Sequence, residues 1–263
     1  MINVLDFRQM KIERRKISMV TAYDYWSAKI VDKSDIDCVL VGDSAAMVMH
    51  GYPSTVHATT QMMSMHIRAV ARGLAKKFLI GDMPFLSFRK GVAPAMECVD
   101  ELMKAGAHAV KLEGAWGHEE IIRTITQSGI PVMGHIGLTP QSIHQFGGFR
   151  VQGRDERAAN DLIAQAKRLE ELGCFSVVLE CVPAPVASAI TDSLSIPTIG
   201  IGAGLDVDGQ VLVLQDLLGM DLSFKPKFLK HFLEGESDIS GALNRFHSEV
   251  QDKTFPTKSE SYT

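Results

Sequence analysis

The sequence predicts a single α/β domain, a (β/α)8 barrel, on three observations. Eight apolar runs alternate with stretches of helical spacing along the 263 residues. That length matches the roughly 250 residues typical of such barrels. The rival architecture, an open doubly wound sheet, calls for a glycine-rich phosphate turn after its first strand. Thr21-Ala22-Tyr23-Asp24 does not supply one.

The elements follow in order. Residues 1–16 mix charges with a few apolar anchors and read as a capping helix or lead-in. The first strand is 17–21, followed by a helix over 26–33. The second strand, 38–44, ends in Gly42-Asp43-Ser44. Residues 45–60 read as a loop rich in glycine, proline and threonine, and 61–73 has helical spacing with Met62, Met65, His66 and Val70 as its stripe. Methionines at that spacing belong to a core. The third strand, 78–85, also ends in Gly-Asp, at Asp82. A helix over 92–106 closes on a glycine. The fourth strand, 109–114, leads to a helix over 116–128 stopped by Gly129. The fifth strand is 131–137. The polar, glycine-rich stretch 138–153 is long enough to be a functional loop. A long amphipathic helix over 155–172, a sixth strand over 176–181 and a short helix over 183–193 come next, then strands at 197–202 and 210–214. The expectation beyond Lys225 is a helix, then a polar tail that frays from about 251. No linker divides the chain, so 1–263 is expected to form one domain.

Composition excludes several classes. With 46% hydrophobic and 22% charged residues, the chain reads as an ordinary soluble globular protein. No apolar run reaches the roughly 18 residues of a membrane span, and the N-terminus has no basic-then-apolar leader. A net charge of −4 gives no footprint for nucleic acid. Cys38, Cys98, Cys174 and Cys181 show no C-x-x-C spacing. They read as buried thiols in a reducing compartment, so a cytoplasmic location is expected.

The chemistry is concentrated at strand ends. In Ala109-Val110-Lys111-Leu112-Glu113-Gly114, Lys111 and Glu113 stand two apart and share one face of an extended strand. A charged pair ending a buried strand is costly unless it binds something. Alone it could be a rim salt bridge, but Asp43, Asp82, His135 and Glu180 also fall at the C-terminal ends of strands, which in a barrel converge on one mouth. Asp43 and Asp82 would repel each other there unless one is protonated or a cation lies between them. A hard divalent ion such as Mg2+ takes one or two carboxylates and leaves room for waters and substrate oxygens. Glu113 is a third candidate ligand, direct or through water. Otherwise each Gly-Asp is a turn or a helix cap. Lys111 suits an anionic substrate group; neighbouring carboxylates hold it charged and so disfavour a Schiff base. Glu180 ends an apolar run, a setting that suits a general base; otherwise it caps the helix that follows. His135, between two glycines, reads first as a satisfied core or loop histidine. Gly200-Ile201-Gly202-Ala203-Gly204-Leu205 fails the dinucleotide pattern at its last position and reads as a tight loop.

These strings, taken together, resemble the ketopantoate hydroxymethyltransferase family. The stretches that carry the resemblance are 21–25, 41–44 with 51–55, 81–85, 110–114, 134–141, 151–153, 179–183 and 197–204, in that order, and they span about 17 to 225. Ala115-Trp116 departs from the family, which tends to place another glycine there. The resemblance implies a TIM barrel of the phosphoenolpyruvate/pyruvate-utilising type. It implies transfer of a hydroxymethyl group from 5,10-methylenetetrahydrofolate to 3-methyl-2-oxobutanoate, giving 2-dehydropantoate through a Mg2+-stabilised enolate. By matching motif, Asp43 and Asp82 bind the metal and the substrate it holds, with Glu113 in the metal site. Ser44 and Lys111 hold the substrate carboxylate, and Glu180 accepts the proton. The family also implies a cytoplasmic homo-oligomer, commonly a decamer. Two alternatives remain open: a Mg2+-dependent carbon–carbon lyase of the same barrel group, and a non-catalytic keto-acid binding protein. The lyases carry a reactive cysteine in a lid loop, and no cysteine here lies in a glycine-flanked loop.

Overall fold

Strict alternation along each strand decides how this molecule is layered. The structure, a computed structural model, describes residues 2–221 and 225–263. Eight parallel strands are described: β1 (Ile17–Thr21), β2 (Cys38–Val41), β3 (Phe78–Asp82), β4 (Ala109–Glu113), β5 (Val132–Gly137), β6 (Ser176–Glu180), β7 (Thr198–Ile201) and β8 (Gly209–Leu212). Each pairs with the next, and β8 closes on β1. The expected barrel is thus the observed one.

On β4, Ala109, Lys111 and Glu113 point into the barrel, while Val110 and Leu112 pack outward against the helices. The interior is apolar at its lower levels, where Met19, Leu40, Ile80, Ala109, Met133 and Val211 meet. Below them the N-terminal helix Val4–Ile12 plugs the barrel. Its Phe7 is fully buried and meets Phe78 and Phe175 edge-on, at centroid distances of 5.6 and 5.2 Å. The outer layer joins the outward strand residues to the helices in one larger cluster.

The register fixes what lies level at the upper end. Asp82 is opposite Lys111, Glu113 opposite His135, and Gly137 opposite Glu180. Polar side chains of β3, β4, β5 and β6 therefore gather at the upper end at stepped heights, with His135 opposite Val178 and Glu180 opposite Gly137.

Several local expectations are corrected. The loop 45–60 contains a helical turn at Ala45–Val48 and a 3-10 turn at Thr55–His57. The buried stripe of helix Thr60–Gly73 is Met63, His66, Ile67 and Val70, whereas Met65 is 54% exposed. The helix expected from 116 starts at Glu119, because 116–118 form the turn that leaves β4. Residues 225–238 are turns and bends, and the last helix is Ile239–Gln251. The tail expected to fray from 251 is packed instead. Phe255 is 2% exposed and meets Phe232 and Phe246 edge-on, at 5.2 and 5.8 Å. Its apolar anchor outweighs the polar composition around it. The four cysteines are free and buried.

Candidate active site

The cavity at the C-terminal end of the barrel has a volume of about 770 Å³. Asp43, Ser44, Asp82, Lys111, Glu113 and Glu180 all line it, as does His135. Every residue expected to serve the site is therefore brought to one place. The two Gly-Asp sequences arrive from neighbouring strands, and the Asp43 amide donates to Asp82 Oδ2 at 3.0 Å.

Charge is unbalanced in this space. Lys111 is 4% exposed, and its Nζ lies 2.7 Å from Asp82 Oδ1. Burial disfavours its ammonium, but Asp82, Glu113 and Asp43 outweigh burial and hold the amine charged. Asp43 is pushed well above the ordinary carboxylate range, first by burial and then by the charges of Asp82 and Glu113. Asp82 is also raised by burial, against the pull of Lys111.

His135 connects the two halves of the mouth. Its Nδ1 lies 3.3 Å from Lys111 Nζ and 3.5 Å from Glu113 Oε1, while its Nε2 lies 3.3 Å from Glu180 Oε2. Burial and the Lys111 charge push the imidazole down. The neighbouring carboxylates of Glu113 and Glu180 outweigh them, so it is raised to about 9. The ring thus stands between two carboxylates in the cavity wall, with its Nε2 lacking a well-directed hydrogen bond, which is more than the satisfied core or loop histidine that was expected.

Two residues at the site were not singled out from the sequence. Gln141 Nε2 donates to Asp43 Oδ2 at 2.8 Å and to the Met83 carbonyl at 3.0 Å, and its backbone amide donates to Glu113 Oε2 at 3.0 Å. It comes from the turn after β5, and Thr139-Pro140-Gln141 within a longer motif was the available signal. Tyr23 is 1% exposed, and its hydroxyl pairs with Ser44 Oγ at 2.8 Å. The motif Thr21-Ala22-Tyr23-Asp24-Tyr25 contained it.

The donor set fits a hard cation. Three buried carboxylates face one lysine, and neither Asp82 Oδ1 nor Glu113 Oε1 receives a well-directed hydrogen bond. Among the described residues, no three His, Cys, Asp or Glu side chains are arranged to enclose a metal alone. A soft or fully caged ion is thus a poor match. Mg2+, which keeps waters and binds through one or two carboxylates, is a good one.

Comparison with known proteins converges on one family. A family model described as ketopantoate hydroxymethyltransferase matches residues 1–258. The 3-methyl-2-oxobutanoate hydroxymethyltransferase of Bdellovibrio bacteriovorus is 56% identical over 263 residues, covering 100% of both chains. That of Coxiella burnetii is 57% identical over 256 residues, 97% of this chain and 96% of its own. Solved structures share the fold at low identity. Phosphonopyruvate hydrolase in complex with oxalate and Mg++ superposes with a TM-score of 0.61 at 13% identity, covering 81% of each chain. The 2,3-dimethylmalate lyase, a PEP mutase/isocitrate lyase superfamily member, gives 0.59 at 14% identity, again covering 81% of each chain. These show the same barrel fold. The full-length relatives and the family match go further: this chain is an enzyme and belongs to the ketopantoate hydroxymethyltransferase family.

Proposed function

We propose that this enzyme transfers a hydroxymethyl group from 5,10-methylenetetrahydrofolate to 3-methyl-2-oxobutanoate, forming 2-dehydropantoate on the route to pantothenate. The observation that carries the mechanism is the joining of Asp43, Asp82, Lys111 and Glu180 in one cavity with opposite tasks at its two sides.

Ser44 and the charged Lys111 hold the substrate carboxylate, with Tyr23 orienting the Ser44 hydroxyl. Asp43 and Asp82 would ligate Mg2+, and Glu113, already engaged by the Gln141 amide, would contact it directly or through water. When bound, the metal supplies Lewis-acid pull on the keto oxygen and so makes the C3 hydrogen acidic. Glu180 accepts that proton. His135 Nε2 lies 3.3 Å from Glu180 Oε2 and flanks the carboxylate on the side of β5. Water adds to the folate's one-carbon unit and releases it from tetrahydrofolate as formaldehyde; the C3 carbon then bonds to that carbon, whose oxygen takes up a proton to become the hydroxyl.

The same reading extends to the whole protein: one barrel domain over 1–263, a homodecamer in the cytoplasm. Leu5, Ile12, Tyr25, Trp26 and Met65 are each more than half exposed, apolar surface that suits burial between subunits. Among the described residues no helix is long and apolar enough to cross a membrane. The test is an assay with both substrates, followed by EDTA and then added Mg2+. Turnover should vanish and return. Full activity in a rigorously metal-free preparation would overturn the metal assignment. Sedimentation velocity tests the decamer, and a monomer at assay concentration would reject it.

A further inference from the structure

The packed tail reaches the wall of the active site. Beyond Phe255 the chain makes a compact turn in which the Ser261 hydroxyl donates to the Thr257 carbonyl at 2.7 Å. Tyr262 then crosses the C-terminal ends of β6 and β7. Its carbonyl accepts the Ala184 amide at 2.9 Å, at the start of the helix that follows β6. Its ring covers Gly202, just beyond β7. A Cβ built on Gly202, whose φ is +64°, would sit 3.1 Å from Tyr262 Cε2 and 3.0 Å from Phe228, a residue of the cavity wall. Glycine is what allows the ring and Phe228 to close on this backbone.

Between Tyr262 and Glu180 lies one residue, Cys181. It holds φ at +49°, in the left-handed region that side chains with a Cβ seldom adopt. Such a conformation persists only when its surroundings over-determine it. Here they do. The Cys181 amide donates to the Ile201 carbonyl, its carbonyl accepts the Gln152 amide (2.9 Å each), and its thiol lies beside the Tyr262 side chain. The adjoining Glu180 carbonyl is held by the Leu138 amide at 2.8 Å. The direction in which the Glu180 side chain leaves the strand is thus set by a backbone kink whose outer support is the tail.

Resting on the reading of Glu180 as the base, we propose that Tyr262 is a positioning residue: by bracing Cys181 and Gly202 from outside the barrel, it aims the Glu180 carboxylate at the substrate. The tail is then part of the catalytic machinery, although none of it touches the reacting atoms. The groups proposed to hold the keto acid and metal stand on other strands, β2 to β4, or just beyond β2. Loss of the brace should therefore slow proton removal without weakening keto-acid binding.

Two variants of the full chain, Tyr262→Phe and Tyr262→Ala, test this through folate-independent exchange of the C3 hydrogen with D2O. A misplacement of about 1 Å costs up to about 100-fold, so Tyr262→Ala should lose about 10- to 100-fold in exchange rate with keto-acid affinity within about twofold of wild type. Tyr262→Phe keeps the ring on Gly202 and loses only the hydroxyl contact, so its loss should be intermediate. Unchanged exchange in Tyr262→Ala would overturn the proposal, as would affinity falling in step with rate. If Tyr262→Ala does not fold, Tyr262→Phe decides: a slower exchange with normal affinity supports the brace, and wild-type exchange rejects it. Glu180→Gln separates this failure from a failure of the base itself. If Glu180→Gln exchanges normally, the base is misassigned; if it does not while both tyrosine variants do, only the brace is wrong.

Discussion

At the mouth of the barrel, Lys111 and His135 stand among Asp43, Asp82, Glu113 and Glu180, and the contacts between them assign the roles. Glu180 is the acid that neither Lys111 nor the Asp43–Asp82 pair engages, and it faces His135 at 3.3 Å. Glu180→Gln keeps size and hydrogen-bonding reach while removing the basic oxygen. Exchange of the C3 hydrogen should fall by about 10²- to 10⁴-fold, the usual range for a lost general base, while keto acid still binds. Wild-type exchange in this variant would leave His135 or a metal-bound hydroxide as the acceptor. Lys111 invites the opposite check. Held charged by three carboxylates, it is no amine nucleophile, so borohydride added with the keto acid should trap no adduct. Mass detected on Lys111 would move the mechanism to a Schiff base. The positions of Asp43, Asp82, Lys111, Glu113 and Glu180 were legible because each ends an apolar run, and alternation aims strand-end residues into the mouth. The contacts of His135 were not legible. They are made with Glu113 and Glu180, carboxylates from two other strands, and no local pattern reports a partner 45 positions away (180 − 135). Gln141 was hidden for a similar reason: it reaches back to Asp43 from a turn 98 residues later.

At the scale of the elements, the joint between β5 and β6 is what sets the height of Glu180. Gly137 is opposite Glu180 in the register and has a φ of +95°. A Cβ there would come within 2.2 Å of the Glu180 carbonyl oxygen, a backbone atom that cannot swing aside. Gly137→Ala must therefore shift β5 or β6. It should destabilise the protein by about 1–3 kcal/mol, the range for a residue forced into a sparsely populated backbone region, and it should also slow C3 exchange. Chemical denaturation and the D2O assay read the two effects. Wild-type behaviour in both would mean that the joint is more pliable than the geometry indicates. Strand positions were readable along the chain because each strand is a short apolar run bounded by glycine or polar residues. The stretch after Lys225 was misread as helix because its apolar residues resemble a helical stripe locally. Phe228 and Phe232 are used instead to pack turns against the cavity wall and the last helix. The tail was misread because composition was polar, while a single phenylalanine, Phe255, supplied the anchor.

The whole molecule carries the electrostatic cost of its own mouth. Asp43 and Asp82 are buried, raised and mutually repulsive, so the metal-free fold holds charge that a divalent cation would offset. A ligand that binds only the folded state stabilises it by about 2.7 kcal/mol at a concentration of 100 Kd. For a chain somewhat beyond 250 residues, that corresponds to an upward shift of roughly 5–10 °C in Tm at constant protein concentration. Mg2+ added to EDTA-treated enzyme should produce a shift of this order without any substrate. Asp43→Asn should behave in the opposite sense on both counts. It removes one of the repelling charges, so the metal-free variant should melt no lower than the metal-free wild type, even though it loses a ligand. For the same reason it should gain little from Mg2+. Equal Mg2+ shifts in the two proteins would place the cation elsewhere. A variant much less stable than metal-free wild type would show that the Asp43 carboxylate serves the fold rather than the site, and that its bond from Gln141 is structural in purpose.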